Sequence, residues 1–310
     1  MNLTPFPTHP FTLTDCREQG IPRRRVAAAV RNGVLVRLFR NVYAVARPEM
    51  TVEERAYAAS LVISQHSVIC DRTAAWIWGV DCFRWRELDV APPLESFTTR
   101  GHRASARAEI RGGTRDLRPT DLVTVGAVRV TTPLRTALDL GCRLSRRDAL
   151  AAIDALMRVQ HLTTWQLVAA LPQFAGRRGV VQLRELVPLG DGRAESQGES
   201  WTRIEMHDHG LPQPELQWWV SVDGVPTFRL DLAYPRARIA IEYDGEEFHS
   251  SPEDKQADSD RRAWLERHGW VVIVVTKDSF TEEALDAWID DVRRALAEAR
   301  RPPVRRFVRS

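Results

Sequence analysis

The sequence predicts a multidomain α/β protein, and three observations predict it. The chain has 310 residues, 44% of them hydrophobic, enough for two or three buried cores. Apolar residues recur at spacings of three and four in some segments and alternate strictly in others, so helices and strands are interspersed along the chain. Turn pairs such as Asn32-Gly33 and Asp223-Gly224 punctuate these segments. The expected division is a helix-turn-helix with a β-hairpin at 1–50, an α/β middle domain at 51–188 and a mixed sheet flanked by helices at 194–300. The tail 301–310, "RPPVRRFVRS", is basic and broken by prolines.

The first block opens "FTLTDCREQGIPRRRVAAAVRNGVLVRLFRNVYAVA". A short helix is expected from about Thr14, a turn at Gly20, and a second helix from about Pro22 to Asn32, with Val26, Ala29 and Val30 as its inward stripe. "VLVRLF" and "VYAVA" then read as two strands joined at Arg40-Asn41, a hairpin of the kind called a wing. Such a helix presents Arg23, Arg24, Arg25 and Arg31 outward, and the wing adds Arg37 and Arg40. Arginines on a helix start and a hairpin tip can reach phosphates on either side of a DNA groove. Charge supports this placement: residues 1–50 carry eight arginines against three acids, whereas residues 190–310 carry 17 basic and 24 acidic residues.

The run "GIPRRRVAAAVRNGVLVRLFRNVYAV" resembles the N-terminal winged helix of the AbiEi family of antitoxin-like transcription regulators. The resemblance implies operator binding and a cognate toxin as partner. It extends more loosely into the second block, where "TTPLRTALD" from Thr131 to Asp139 resembles a run of the same family. That block reads as two helices in "YAASLVISQHSVICDRTAAWIWGV", strands at "ELDVAP", "AEIRGG" and "VTVGAVRVTTP", and helices at "LRTALDLGCRL" and "RRDALAAIDALMRV". His66, Arg72 and Asp139 are polar residues inside apolar segments and read as structural hydrogen-bonding groups.

The third block follows "GDGRAESQGES", a glycine-rich stretch read as a linker. Its order is a helix from about Ala194 to His209, strands "QWWVSV", "FRLDLAY" and "RIAIEYD", a helix from about Lys255 to His268, strand "WVVIVVT" and a last helix from about Glu282 to Arg300. The first three strands form a meander and the fourth is reached by a helical crossover. Trp218 and Trp219 are consecutive on the first strand, so one is expected in the core and one outside. On the next two, Phe228, Leu230 and Leu232 share one face and Ile239, Ile241 and Tyr243 another, which leaves Asp231, Glu242 and Asp244 to converge on one side of the sheet. Three carboxylates so placed repel unless a cation sits among them, and an oxygen-rich cluster suits Mg²⁺ or Mn²⁺. A metal there could activate water and neutralise charge on a phosphate.

From about Glu195 to Thr276 this pattern resembles the PD-(D/E)XK nuclease superfamily, most closely its Vsr-like very-short-patch-repair branch. The resemblance implies a restriction-endonuclease-like fold and metal-dependent endonuclease activity in DNA repair or defence against foreign DNA, with a repair partner. It assigns Asp231, Glu242 and the Tyr243 carbonyl to the metal, Asp244 and His249 to positioning or deprotonating water, Glu199 to the acidic cluster and Arg261 to the phosphate or the site. Asp244 stands where the superfamily has a lysine, and Val274 where related domains carry an arginine. The alternative is a regulator of antitoxin type whose nuclease-like domain serves as an interaction module.

Other chemistries lack residues. Cys16, Cys70, Cys82 and Cys142 have no paired spacing for zinc or a disulfide framework, and there is no Walker loop, GxSxG or HExxH. No apolar run approaches a membrane span, and "MNLTPFPTHP" lacks a signal-peptide layout, so a cytoplasmic location is expected.

Overall fold

Thr12 and Asp15 start the first helix by a reciprocal cap: the Thr12 hydroxyl accepts from the Asp15 amide, and the Asp15 carboxylate accepts from the Thr12 amide. The computed structural model describes residues 6–47, 49–64, 66–82, 94–98, 110–245 and 252–300. They fall into two units, Met1–Leu144 with Val159–Gly190, and Ser145–Arg158 with Asp191–Ser310. The architecture is mixed α/β, with three sheets and eleven α-helices among the described residues. None of these helices is long and apolar enough to cross a membrane.

The first unit begins with strand β1 (Phe11–Thr12), helices α1 (Leu13–Glu18) and α2 (Arg23–Arg31), and strands β2 (Leu35–Phe39) and β3 (Val42–Val45). The strands form a sheet of order β1-β3-β2. Pro22 stands just before α2, and Gly33, at φ 69°, ends it. Asn41 takes φ 65° in the β2–β3 turn, a conformation its short polar side chain tolerates. Val26 and Ala29 of α2 are buried with Phe11, Cys16, Ile21 and Leu35. That inward stripe turns the arginines of α2 to the surface.

The unit continues with α3 (Val52–Ser60), β4 (Ser67–Ile69), α4 (Asp71–Ile77), β5 (Leu94–Thr98), β6 (Ile110–Arg111), β7 (Leu122–Val125) and β8 (Val128–Thr131). The sheet order is β6-β5-β4-β8-β7. Buried β4 lies between antiparallel β5 and parallel β8. The two helices expected across this stretch are α3 and α4, and the strand β4 stands between them unforeseen: a three-residue apolar run has no period to tell strand from helix. The strand expected at "ELDVAP" lies outside the described residues. His66 is exposed in the turn before β4, not inside an apolar segment.

Next come α5 (Pro133–Arg143), α6 (Arg146–Gln160), α7 (Thr164–Ala170) and α8 (Val180–Leu186). Up to Arg158, α6 groups with the second unit, a discontinuity the linear blocks do not announce. The second unit adds α9 (Gln197–Asp208), β9 (Glu215–Val222), β10 (Val225–Tyr234), β11 (Ile239–Asp244), α10 (Pro252–Arg267), β12 (Val271–Thr276) and α11 (Glu282–Ala299). Its sheet order is β12-β11-β10-β9, antiparallel except for the β11–β12 pair that α10 connects. Both faces are covered: Leu232, Ile239 and Ile241 pack with Met206 of α9 and Trp288 and Ile289 of α11, while Leu230 and Ala240 pack with Leu265 of α10.

Candidate functional site

The acidic residues are positioned by the fork between β10 and β11. Their antiparallel ladder runs from Tyr234–Ile239 to Leu232–Ile241, whereas β11 continues beside β12 to the pair Asp244–Thr276. Asp231 is the first residue past the ladder, and its carboxylate accepts a 3.0 Å hydrogen bond from the Tyr243 amide. A side chain thereby satisfies a backbone donor at the point where the ladder stops.

The expected single alternation along β10 is corrected. Leu230 and Leu232 pack in different apolar clusters. The change falls at Asp231, between the pairs Leu230–Trp218 and Leu232–Leu216, where β9 holds Gln217 at φ 53°. Such an irregularity re-aims side chains on both strands. It also overturns the expectation for the paired tryptophans: on this edge strand Trp218 is 39% and Trp219 51% exposed, and Leu216 and Val220 are the buried residues.

Glu199 reaches the cluster from α9. Ser196 caps this helix by accepting from the Glu199 amide at 3.1 Å, so the helix expected from about Ala194 begins at Gln197 and takes in the "QGES" end of the stretch read as a linker. Gly198 lets α9 lie against β11, because a Cβ there would overlap the Tyr243 ring. The Glu199 carboxylate accepts from the Glu195 amide at 3.0 Å and from Gln217 Nε2 at 2.8 Å. Nothing in the sequence singles out Gln217, since its partner is fixed only by the register of β9 on β10.

Glu199, Asp231 and Glu242 are the predicted acids that the fold brings together. Glu199 and Glu242 are buried, and Asp231 is partly so. Burial, then the Glu199 charge, then Glu242, push the Asp231 carboxyl up to about 7. Burial also raises Glu242, against the pull of Arg261 and Arg262. Arg261 donates to Glu242 Oε2 at 2.6 Å, while Oε1 is buried without a hydrogen-bond partner among the described residues. The Arg261 guanidinium thus neutralises a carboxylate of the cluster.

Asp244, the last residue of β11, is exposed and accepts from Arg262 at 3.0 Å, and the same guanidinium stands 4.0 Å from Glu242, so Asp244 lies at the exposed margin of the acidic cluster and not within its buried part. His249 lies outside the described residues. Among the described residues no three His, Cys, Asp or Glu side chains are disposed to hold a metal ion together.

The second set of predicted residues lies in the first unit. Arg23, Arg24 and Arg25 fill the first turn of α2, Arg31 ends it, and Arg37 and Arg40 lie on the β2–β3 hairpin; all six are exposed. They form a basic surface on a small helical and hairpin framework.

Comparison with known proteins adds two kinds of finding. Residues 8–46 match the family model described as "Transcriptional regulator, AbiEi antitoxin", and residues 67–189 match "AbiEi antitoxin C-terminal domain". The chain is also 34% identical over 262 residues to "Uncharacterized protein Rv2248" of Mycobacterium tuberculosis strain H37Rv and to "Uncharacterized protein MT2308" of strain CDC 1551. That match covers 84% of this chain and 92% of either relative. Because it is longer than the whole stretch up to residue 189, it extends into the second unit.

Proposed function

The chain belongs to the family of these mycobacterial proteins and carries the two AbiEi antitoxin domains, and from that premise we propose that it is a DNA-binding transcriptional regulator of antitoxin type. The observation that carries the reading is a coincidence of position. The regulator-type match at residues 8–46 contains every exposed arginine of α2 and its hairpin. In this reading residues 8–46 act as a winged helix, with Arg23, Arg24, Arg25 and Arg31 on the groove-facing helix and Arg37 and Arg40 on the wing. A cognate toxin is the second partner, as the family description suggests. The test is a gel-shift and footprinting experiment with the DNA preceding the protein's own coding sequence. A protected, sequence-specific site supports the reading, and binding no tighter than to unrelated duplex rejects it.

A second reading, a Vsr-like PD-(D/E)XK nuclease in the second unit, rests on the buried Oε1 of Glu242, without a hydrogen-bond partner among the described residues, beside Asp231 and Glu199. A Mg²⁺ or Mn²⁺ ion would be held there by Asp231, Glu242 and the Tyr243 carbonyl. The described arrangement does not fit such an ion as it stands: Arg261 already takes Glu242 Oε2, the Tyr243 amide takes Asp231 Oδ2, and Asp244 is turned to Arg262. No hydrolytic step is therefore derived. The regulator reading expects the melting temperature to be unmoved by millimolar Mn²⁺ and duplex DNA to stay intact. A saturable rise in melting temperature that Asp231→Asn removes, together with cleavage, would favour the nuclease.

A further inference from the structure

The run from Thr131 to Asp139 contains a buried guanidinium that its ion pairs leave incomplete. Arg135 is 3% exposed. Its Nη1 donates to Asp121 at 2.7 Å and its Nε to Asp139 at 2.9 Å, but its Nη2 is buried with no partner among the described residues. A buried charged donor left unpaired is costly, so this nitrogen marks a place where an acceptor belongs.

A second guanidinium lies over the same aromatic ring as that of Arg135. The Arg135 and Arg177 guanidinium carbons lie 5.2 and 4.7 Å from the centroid of the same Phe174 ring. Arg177 is 3.9 Å from Asp139, too far for a hydrogen bond, and its side chain is 34% exposed, so it borders solvent. Burial and the neighbouring Arg135 charge depress its pKa, a sign of cations crowded together. The loop that carries it is seated by two left-handed glycines, Gly176 at φ 75° and Gly179 at φ 82°. Gly179 presses on the end of α5, where a Cβ would overlap the Cys142 carbonyl. Charge does not balance here: Asp71, Asp121 and Asp139 face Arg115, Arg135, Arg143 and Arg177, three carboxylates against four guanidiniums among the described ion pairs.

We propose that Arg135 and Arg177, both over the Phe174 ring, form an oxyanion site that takes a phosphate-class group, free or as the phosphoryl of a nucleotide. Arg135 is the inner donor and Arg177 the outer one. Two planar guanidiniums with unused donors match a tetrahedral oxyanion, and an anion between them completes Arg135 and offsets the surplus charge. The site is separate from the arginines of α2 and does not depend on their binding DNA.

The test is calorimetric titration of the full chain with inorganic phosphate, at ionic strength matched with chloride. Saturable binding is expected in the wild type. It should weaken about tenfold or more in Arg177→Gln, which removes one charge-assisted donor group from a partly exposed position. Arg177→Lys keeps the charge without the fork and should fall between the two, which covers the case of a poorly folded glutamine variant. A triple variant of Arg23, Arg24 and Arg25 to Gln should bind phosphate as the wild type does. A nucleoside 5′-monophosphate that binds more tightly than phosphate, with the same dependence on Arg177, supports the site and assigns the phosphoryl to a nucleotide. No saturable binding, binding unchanged in both Arg177 variants, or equal binding of acetate overturns the proposal.

Discussion

Asp231 is held against its own charge. Its carboxyl rises to about 7, because it is partly buried beside Glu199 and Glu242. In the unfolded chain the same group ionises near 4. Between those values the unfolded state has released a proton that the folded state retains, so stability falls as pH rises through that window and stays lower above it. The span corresponds to on the order of 4 kcal/mol as a ceiling. Asp231→Asn should flatten this slope and leave the variant more stable than the wild type at pH 8, with little difference at pH 4. Urea unfolding at several pH values checks it, and parallel curves for the two proteins would mean that Asp231 ionises as an ordinary carboxyl. Arg261 acts in the opposite sense, since it compensates buried Glu242 at 2.6 Å. Arg261→Ala leaves that carboxylate buried without its partner and should cost about 3–5 kcal/mol, read by the same unfolding assay.

Two helices carry sharper expectations than any single side chain. In α9 the close approach to β11 requires a residue without a side chain at Gly198, because a Cβ would overlap the Tyr243 ring. Gly198→Ala improves helix propensity yet should destabilise the chain by about 1–3 kcal/mol, since overpacking outweighs propensity here. A rise in melting temperature would show that α9 and β11 stand further apart. In α2 the first turn consists of Arg23, Arg24 and Arg25. If all three contact phosphates, replacing them by Ala should make the slope of log affinity against log salt shallower by about two to three units. An unchanged slope in a filter-binding or anisotropy titration would move the DNA surface off α2.

The second unit draws one of its helices from far upstream. Asp154 on α6 is 1% exposed and accepts from Arg203 of α9 at 2.5 Å and from Ser200 at 2.8 Å, while its other oxygen accepts from the Asp191 amide at 2.8 Å. Residues 159–190, which lie between α6 and Asp191, group with the first unit. A fragment of residues 191–300 keeps all four strands of its sheet but takes from Arg203 the buried carboxylate of Asp154. We expect such a fragment to show no cooperative thermal transition, where the full chain does. A sharp transition in the fragment, seen by calorimetry, would make α6 dispensable to the unit.

Short-range order was legible without a structure. The alternation of "RIAIEYD", the start of α2 at Pro22 and its stop at Asn32-Gly33 specify their elements, because turn chemistry and periodicity act over a few residues. The basic face of α2 followed from the same period, since Val26 and Ala29 can point inward only if the arginines point out. The strand β4 was not legible, because three apolar residues between helices have no period of their own. Nor was the acidic cluster as it stands. Sequence alone placed Asp231, Glu242 and Asp244 together by alternation, but the irregularity at Gln217 and Asp231, the end of the ladder at Leu232–Ile241 and the grip of Arg261 and Arg262 arise from register and packing. The pairing of Asp154 with Arg203 and the placing of Arg135 and Arg177 over one Phe174 ring join residues about 40 to 50 positions apart, and only the folded chain decides which side chains that far apart come together.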